Sequence, residues 1–210
     1  AAQKGGYGST KTYQATGINI YDKDGAAFTL NGNLDMKVKG VGVDMRGSEK
    51  NAVTIAGGTI FTPDDGEEAS YKAVAATSGT FAMGMNDAKT GSNGKDVVVQ
   101  GTISLGKKGT VDLGLGSSKS RWTGIADNKD GHPMNLYLSD GGMWENRRTS
   151  KDQYGLFAGS RVTKVAGGTA PAKAGVIVQK DSNPITIDHY SGHTILCLSY
   201  TSPSPRDRSV

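Results

Sequence analysis

Cysteine, aromatic residues and long apolar runs are all scarce in this sequence. Cys197 is the only cysteine among 210 residues, which excludes an intramolecular disulfide and a zinc site built on several thiolates. Hydrophobic residues make up 35% of the chain and aromatic residues 7%. This content is lean for a compact globule but sufficient for a fold that buries thin stripes of small side chains. No apolar run approaches the length of a membrane span, so we predict no direct membrane insertion.

The charge pattern gives little support to a nucleic-acid partner. The formal net charge is +4, from 24 Lys and Arg and 20 Asp and Glu. The basic residues are scattered, and they form no stripe interleaved with aromatic residues, which nucleic-acid-binding surfaces usually show. We therefore predict that the chain binds no nucleic acid.

Short alternating runs separated by glycine dominate the chain, which has 31 Gly. Apolar residues occupy every second position in 109–115 and in 134–138, and 97–103 is another strong strand candidate. Period 2 is typical of a strand with one buried face. No run is long enough at the helical period to predict a helix. The fold class is therefore all-β, with a turn at Asn31-Gly32 and a corner at Gly57-Gly58.

A motif of Gly-Thr, apolar, any residue, apolar, Gly, apolar occurs at 79–85 and again at 109–115, and 134–138 repeats its core. Phe81, Val111 and Met134 are equivalent in these copies, which gives offsets of 30 and then 23 residues. A second, shorter repeat, Gly-Thr-Ile, occurs at 58–60 and again at 101–103. Head-to-tail repeats of short strands predict a parallel β-solenoid, with roughly 25 residues per coil and about eight coils. An antiparallel sandwich is the alternative, but it favours tight, evenly spaced hairpins.

The solenoid prediction specifies a core. Twelve residues should point into one shared interior, with parallel pairing between coils: Val53, Ile55, Ile60, Phe81, Met83, Val97, Val99, Ile103, Val111, Leu113, Leu136 and Leu138.

An ordered set of motifs over residues 50 to 196 resembles the passenger domains of bacterial autotransporters. Ser120-Arg121-Trp122-Thr123-Gly124, then 134–138, then Gly141-Gly142-Met143-Trp144 are similar to the pertactin-like coils that precede the outer-membrane barrel. The resemblance implies a right-handed, elongated parallel β-helix, secretion to the cell surface and an adhesive role. The signal peptide and barrel of that family are missing, so we expect an internal piece, with a frayed edge at 1–15 and the β-helix at 16–196.

The end of the chain has a different character. Residues 197–207 resemble the translation of a transposase-type sequencing adapter, C-L-L-Y-T-S-P-S-P-R-D, with Ser199 as the single departure. A natural linker rich in Pro and Ser is the alternative. We expect 197–210 to be extraneous and poorly packed, since two prolines remove ladder donors and no apolar periodicity follows. Cys197 would then not belong to the native protein.

Three stretches resemble ligand sites. The run from Gly101 to Lys108 resembles the Gly-x4-Gly-Lys motif of a phosphate-binding loop. However, Lys108 replaces the required Ser or Thr, and a strand is predicted to follow instead of a helix. His189 and His193 have metal-ligand spacing, but turn residues separate them and only Asp188 is near. The acidic loop with Asp64, Asp65, Glu67 and Glu68 is open to two interpretations, a calcium site or a solvated loop, of which the second is favoured.

Other polar and aromatic residues also admit a structural interpretation. The stretch 127–131 lacks the ligand pattern of a calcium loop and is predicted to be a turn. Trp122 and Trp144 either stack on sugar rings or fill coil corners, and we favour filling. Asn19, Asn51 and Asn135 lie near turns, where they could form stacked ladders.

Two function classes follow. The first is a non-enzymatic adhesin or stalk module at the bacterial cell surface, with a host surface protein or glycan as candidate partner and no catalytic, metal or cofactor site. The alternative is a β-helix polysaccharide lyase or glycosidase. Such an enzyme needs two carboxylates about 5 to 10 Å apart on one face, or calcium carboxylates with an arginine base. The acidic residues here lie singly or in loops, so we predict no enzyme.

Overall fold

The computed structural model describes residues 15–64, 71–150, 159–180 and 184–198. These residues contain no α-helix, only a 3₁₀ turn at Pro171–Lys173. They form one sheet of fifteen strands. The strands are β1 Ala15–Asp22, β2 Ala27–Lys37, β3 Gly40–Gly47, β4 Ala52–Phe61, β5 Lys72–Met83, β6 Val97–Gln100, β7 Thr102–Leu115, β8 Arg121–Thr123, β9 Ala126–Asp127, β10 Met134–Leu138, β11 Met143–Asn146, β12 Ser160–Ala166, β13 Gly175–Gln179, β14 Ile185–Ser191 and β15 Thr194–Leu198.

Every pairing between these strands is parallel, which agrees with the head-to-tail repeats and excludes the antiparallel sandwich for the described part of the chain. Antiparallel bonding is limited to isolated bridges in loops. The sheet curls on itself, because single long strands pair with different neighbours along their length. This arrangement is consistent with a β-solenoid.

The register divides the curled sheet into three columns of stacked strand segments. We use "coil" for one passage of the chain through the first, second and third columns. Seven coils are present in the described residues: 15–37, 40–61, 72–100, 102–123, 126–146, 160–179 and 185–198. The second column of the first five coils contains 27–30, 52–55, 80–83, 108–115 and 134–138. The third column contains 33–37, 58–61, β6, β8, β11, β13 and β15.

The Gly57-Gly58 corner is confirmed as a bend inside β4. Before the bend, Val53 pairs with Phe81 in the second column; after it, Gly58 pairs with Val97 in the third. Gly58 has φ of 107°, a conformation that residues with a Cβ rarely adopt. A Cβ at this position would also overlap the carbonyl oxygen of Leu34 in the coil before. The strand therefore turns the corner because residue 58 is glycine.

The main repeat found in the sequence is the stacking register of the structure. Phe81 pairs with Val111, and Val111 pairs with Met134. All twelve residues predicted for the core are buried, at 0 to 1% exposure. They belong to a continuous core that runs through the middle coils and also holds Trp122 and Trp144.

Two local predictions are wrong. The repeats at 58–60 and 101–103 do not stack on each other. Gly58 pairs with Val97 in the third column, whereas Gly101 lies just before the first column of the next coil. Both glycines have positive φ, so the likeness reflects corners that need the same backbone, not stacked positions. The Asn31-Gly32 turn lies inside β2, where these two residues stand opposite the single residue Ala56, so one extra residue enters at a register shift between Leu30 and Asn33.

The coils also vary in length more than the sequence suggested. The stacked partners Gly58 and Val97 are 39 residues apart in the sequence, whereas the stacked partners Val111 and Met134 are 23 residues apart. Residues 1–14, most of the acidic loop 63–68 and the tail 199–210 lie outside the described residues. The predicted tail boundary falls within β15, where Cys197 pairs with Val178 and Leu198 with Gln179; Cys197 and Leu198 are both exposed.

Candidate functional site

The connections between the second and third columns differ widely, and this difference creates a cleft. In the first two coils one strand passes directly from column to column. Later coils use loops, of which 116–120, 139–142 and 192–193 are short and 84–96 and 167–174 are longer. The two longer loops belong to the third and sixth coils. The short loops 116–120 and 139–142 lie between them, so the surface is recessed there.

The loop 84–96 is held in place by its own hydrogen bonds. The Asn86 amide donates to the Gly91 carbonyl at 2.9 Å, and the Asn86 side-chain oxygen accepts from the Thr90 amide at 2.9 Å. The Asn93 side chain donates to the Ala56 carbonyl at 2.8 Å, which ties the loop to the second coil. Lys89 has φ of 52°, an uncommon conformation for a residue other than glycine. These bonds give the loop 84–96 a defined conformation on the solenoid surface.

The loop 167–174 is bonded to the coils on both sides. Gly168 exchanges two backbone hydrogen bonds, each of 2.9 Å, with His193 of the seventh coil. On the other side, the Asp140 amide donates to the Lys173 carbonyl at 2.9 Å and the Gly141 amide donates to Ala174 at 3.0 Å. Both rims of the recess are therefore fixed to the solenoid.

The recess is a cleft of about 300 Å³. This is the lower end of the range of about 300 to 1,000 Å³ that is usual for small-ligand pockets. Tyr137 lies at its floor, only 6% exposed; its hydroxyl donates to the Lys89 carbonyl at 3.2 Å, and the Lys164 ammonium lies 5.2 Å from the ring centroid. The lining consists of Thr90, Gly91, Ser92, Tyr137, Leu138, Ser139, Asp140, Ala166, Gly167, Gly168, Thr169 and Lys173.

Several polar side chains of the cleft have no partner within the described part of the chain. The Asp140 carboxylate and the Lys173 ammonium make no ion pair there, and the Ser139 and Thr169 hydroxyls make no hydrogen bond. Asp140 also has φ of 51°. Such uncommon backbone conformations recur at ligand-binding sites. The cleft thus offers hydrogen-bond donors and acceptors of both charge signs to a ligand.

A second group of charges lies at the end of the fifth coil. Arg147 pairs with Asp64, and its Nε lies 3.4 Å from a Glu145 oxygen. Arg121 approaches the other Glu145 oxygen at 3.8 Å. The hydrogen bond with Asp64 raises the pKa of Arg147, with a further contribution from Glu145, although partial burial opposes the shift. An arginine held in its protonated form cannot act as a base at neutral pH, so this group is an ion-pair network.

The residues singled out as ligand candidates do not come together as a site. Lys107 and Lys108 lie within strand β7 and not before a helix. His189 lies in β14 and His193 in the turn that follows, both exposed, and Asp188 accepts hydrogen bonds from Arg161. No group of three or more His, Cys, Asp or Glu that could hold a metal ion occurs within the described residues.

Of the acidic loop 63–68, only residues up to Asp64 are described, and Asp64 pairs with Arg147. The stretch 127–131 forms a turn after β9. Asn128, which is 1% exposed, closes this turn by donating to the His132 carbonyl and accepting from the His132 amide, each at 2.8 Å.

The tryptophans fill the interior, as favoured from the sequence. Both are fully buried, and their rings stack with centroids 5.0 Å apart and an interplanar angle of 5°. Each indole N–H donates to a backbone carbonyl, Trp122 to Gly101 at 3.0 Å and Trp144 to Gly124 at 3.1 Å. Neither ring is available to a sugar.

The three asparagines form no common ladder. Asn19 pairs with Asp44 in the first column, and Asn135 lies in the second column, where its amide donates to Asp112 at 2.7 Å. Asn51, 1% exposed, holds the corner before the second column by donating to the carbonyls of Asp22 and Arg46. Their roles are structural, at three separate places.

Sequence reasoning missed the cleft. Ser139 and Asp140 belong to the loop 139–142 and Lys173 to the longer loop 167–174, and their proximity depends on the stacking of the fifth coil on the sixth. Once the 81–111–134 register is known, the long segment between Met83 and Val97 is the signal that marks the rim.

Comparison with known proteins returned no match: no family model, no curated protein and no solved structure is similar to this chain. Among the described residues, none of the helical segments has the length and apolar character that a membrane crossing requires.

Proposed function

We propose that this chain is a segment of a secreted, cell-surface passenger of the autotransporter type, and that it acts as a non-enzymatic adhesin or stalk module. In this proposal the curled parallel sheet is a right-handed, elongated β-helix. A host surface protein or glycan is the partner, and an outer-membrane barrel follows in the parent chain. The proposed role needs no metal or cofactor and no nucleic acid.

The observation that carries the proposal is the regular stack of coils with its surface loops. In the described part of the chain, three columns of parallel strands repeat over seven coils around one core, and a cleft lies between two of the surface loops. A stack of this kind separates a rigid spacer from loops that recognise a partner. The motifs at Trp122 and Trp144, on which the family resemblance depends, form the centre of that spacer.

The exposed side chains of the last coil support the idea of a longer passenger. Tyr190 and Leu196 are 55 and 60% exposed, although their partners Val165 and Ile177 are buried. A further coil stacked on this edge would cover them. We also propose that the tail 197–210 is extraneous, in keeping with the exposure of Cys197 and Leu198.

A polysaccharide lyase or glycosidase is the second candidate, and one observation favours it. Asp64 and Glu145 share Arg147, so two carboxylates do approach one another on the surface. Both, however, are neutralised by arginines, and the raised pKa of Arg147 opposes a role as base. A glycosidase needs one carboxyl group that holds a proton and one that is free to act as base or nucleophile.

The parent gene provides the first test. A signal peptide upstream and an outer-membrane barrel downstream are expected, with the natural reading frame departing from this sequence after Leu196. A parent gene that encodes neither would overturn the passenger proposal. The natural gene reading through 197–210 unchanged would overturn the adapter interpretation alone.

A functional test uses surface display. The chain, fused between a signal peptide and a translocating barrel in a bacterium, should reach the cell surface and increase adherence to host cells over the barrel alone. Display without any gain in adherence would leave a stalk role and remove the adhesin role. The second candidate predicts instead that purified protein releases unsaturated or reducing sugar ends from glycan substrates.

A further inference from the structure

We propose that the cleft between the loops 84–96 and 167–174 is a binding site for a short saccharide. The inference extends the adhesin proposal by naming a site and a ligand class, and in that sense it rests on the proposed function. It depends on three observations: the fixed rims, the mixed set of unpaired polar groups and the partly apolar floor.

The rims are organised before any ligand binds. The Tyr137 hydroxyl holds the Lys89 carbonyl of the first rim, and the amides of Asp140 and Gly141 hold the second rim through Lys173 and Ala174. Because the backbone of both rims is already fixed, a ligand has to order only the side chains that it contacts, which limits the conformational entropy lost on binding. This matters for saccharides, because hydrogen bonds to neutral hydroxyls gain only a modest net free energy against water.

The polar groups select the ligand class. Asp140 offers acceptors only and Lys173 donors only, while the hydroxyls of Ser139 and Thr169 do both. A simple anion would satisfy Lys173 but meet Asp140, and a simple cation would have the reverse problem. A sugar hydroxyl donates to one group and accepts from another, so a polyhydroxylated ring satisfies the whole set without a net charge.

The size and floor of the cleft limit the ligand. A volume of about 300 Å³ suits one or two sugar rings. Leu138, Ala166 and the edge of Tyr137 line the cleft beside the glycines 91, 167 and 168, so part of its wall is apolar and can face the C–H side of a sugar ring. The two buried tryptophans take no part, since neither ring is exposed and neither lines the cleft.

The test is saccharide binding by the purified chain. Saturation-transfer NMR and calorimetry would use methyl glycosides of glucose, galactose, mannose and N-acetylglucosamine, their β-linked disaccharides, and inorganic phosphate as an anion probe. We expect at least one saccharide to bind and phosphate not to compete with it. Tighter binding of a disaccharide than of its methyl glycoside would identify a glycan chain, and equal binding a terminal sugar.

Matched variants locate the binding. Asp140→Asn removes the charge, while asparagine tolerates the positive φ of this position. Asp140→Asn and Lys173→Gln should each weaken binding by about tenfold or more, as expected when a hydrogen bond to a charged group is lost, and Ser139→Ala should weaken it by less. Asp24→Asn, an equal charge change at an exposed turn of the first coil, should leave affinity unchanged. Melting curves of each variant would show that the fold is kept.

Two outcomes would overturn the proposal: no binding of any saccharide in the panel at millimolar concentration, or binding that all three cleft variants leave intact. Phosphate binding alone would overturn it as well and assign the cleft to an anion. None of these results bears on surface display or on the parent gene, so the passenger proposal stands or fails separately.

Discussion

One row of core positions runs through the third column, and it has two contrasting regions. In the middle coils it contains Val99, Trp122 and Trp144, each at most 1% exposed. In the last coil the same row ends at Leu196, which is 60% exposed, although its partner Ile177 is only 3% exposed. A large apolar side chain is therefore buried or exposed according to whether a further coil covers it.

This contrast shows where the stability of a stacked fold resides. Each coil buries its inner face against two neighbours, so a middle coil gains from both sides and an end coil from one. Position along the stack, more than residue type, decides what a substitution costs. Equivalent substitutions at covered and uncovered positions should therefore differ in their effect on the free energy of unfolding.

Trp122→Ala is expected to cost about 3 to 5 kcal/mol of unfolding free energy, because it removes a fully buried ring and the stacking partner of Trp144. Leu196→Ala, in the same row of the last coil, should cost less than about 1 kcal/mol. Urea unfolding followed by circular dichroism would measure both. Similar losses for the two variants would contradict the comparison.

Gly58→Ala is expected to cost about 2 to 3 kcal/mol, since alanine strains a residue with φ of 107° and its methyl group meets the Leu34 carbonyl. Gly32→Ala is the matched control in the first coil, where an added Cβ meets nothing within 4 Å. That variant should be neutral within about 0.5 kcal/mol. The urea midpoints of the two variants, each compared with that of the unmodified protein, would measure this difference. Equal shifts would mean that the corner does not require glycine at position 58.

A large part of this fold could be predicted from the sequence, because stacked coils repeat their chemistry locally. The alternation around Val111 and Leu136 gave the strands, and the Gly-Thr motif gave the register of Phe81 on Val111. The corner at Gly58 was also found, since few residues accept that backbone.

The errors have a physical cause too. Gly58 and Gly101 share a motif because corners in different columns need the same conformation, which local sequence cannot distinguish from stacking. The cleft was missed because Asp140 and Lys173 meet through the register of the fifth and sixth coils, with a long segment of chain between them. Pairings over such distances are not encoded in any single window of sequence.

Asn146→Ala tests a polar row inside the covered part of the third column. The Asn146 side chain is fully buried; it donates to Gln179 at 2.7 Å and accepts from Ser160 at 2.6 Å. The variant should lose about 1 to 3 kcal/mol, because buried polar groups are left without this partner. Asn19→Ala, at an exposed position of the first coil, is the control and should be neutral. Thermal melting would rank the two, and an unaffected Asn146→Ala protein would show that the row is not needed.

The smallest effect is expected at the edge of the stack, where Arg161 links three coils. Its Nε donates to Asp188 of the seventh coil at 3.1 Å, and its Nη1 donates to the Lys129 carbonyl of the fifth at 3.3 Å. The Arg161 and Asp188 side chains are 38 and 25% exposed, so water screens the pair.

Asp188→Asn should therefore cost less than about 1 kcal/mol, and less still at high salt. Arg161→Gln should cost slightly more, because it also loses the bond to Lys129. A double-mutant cycle at low and at high salt would isolate the pair itself. A coupling energy of several kcal/mol that salt does not reduce would mean that the last coil is held as firmly as the middle ones, and the contrast between covered and uncovered coils would then be wrong.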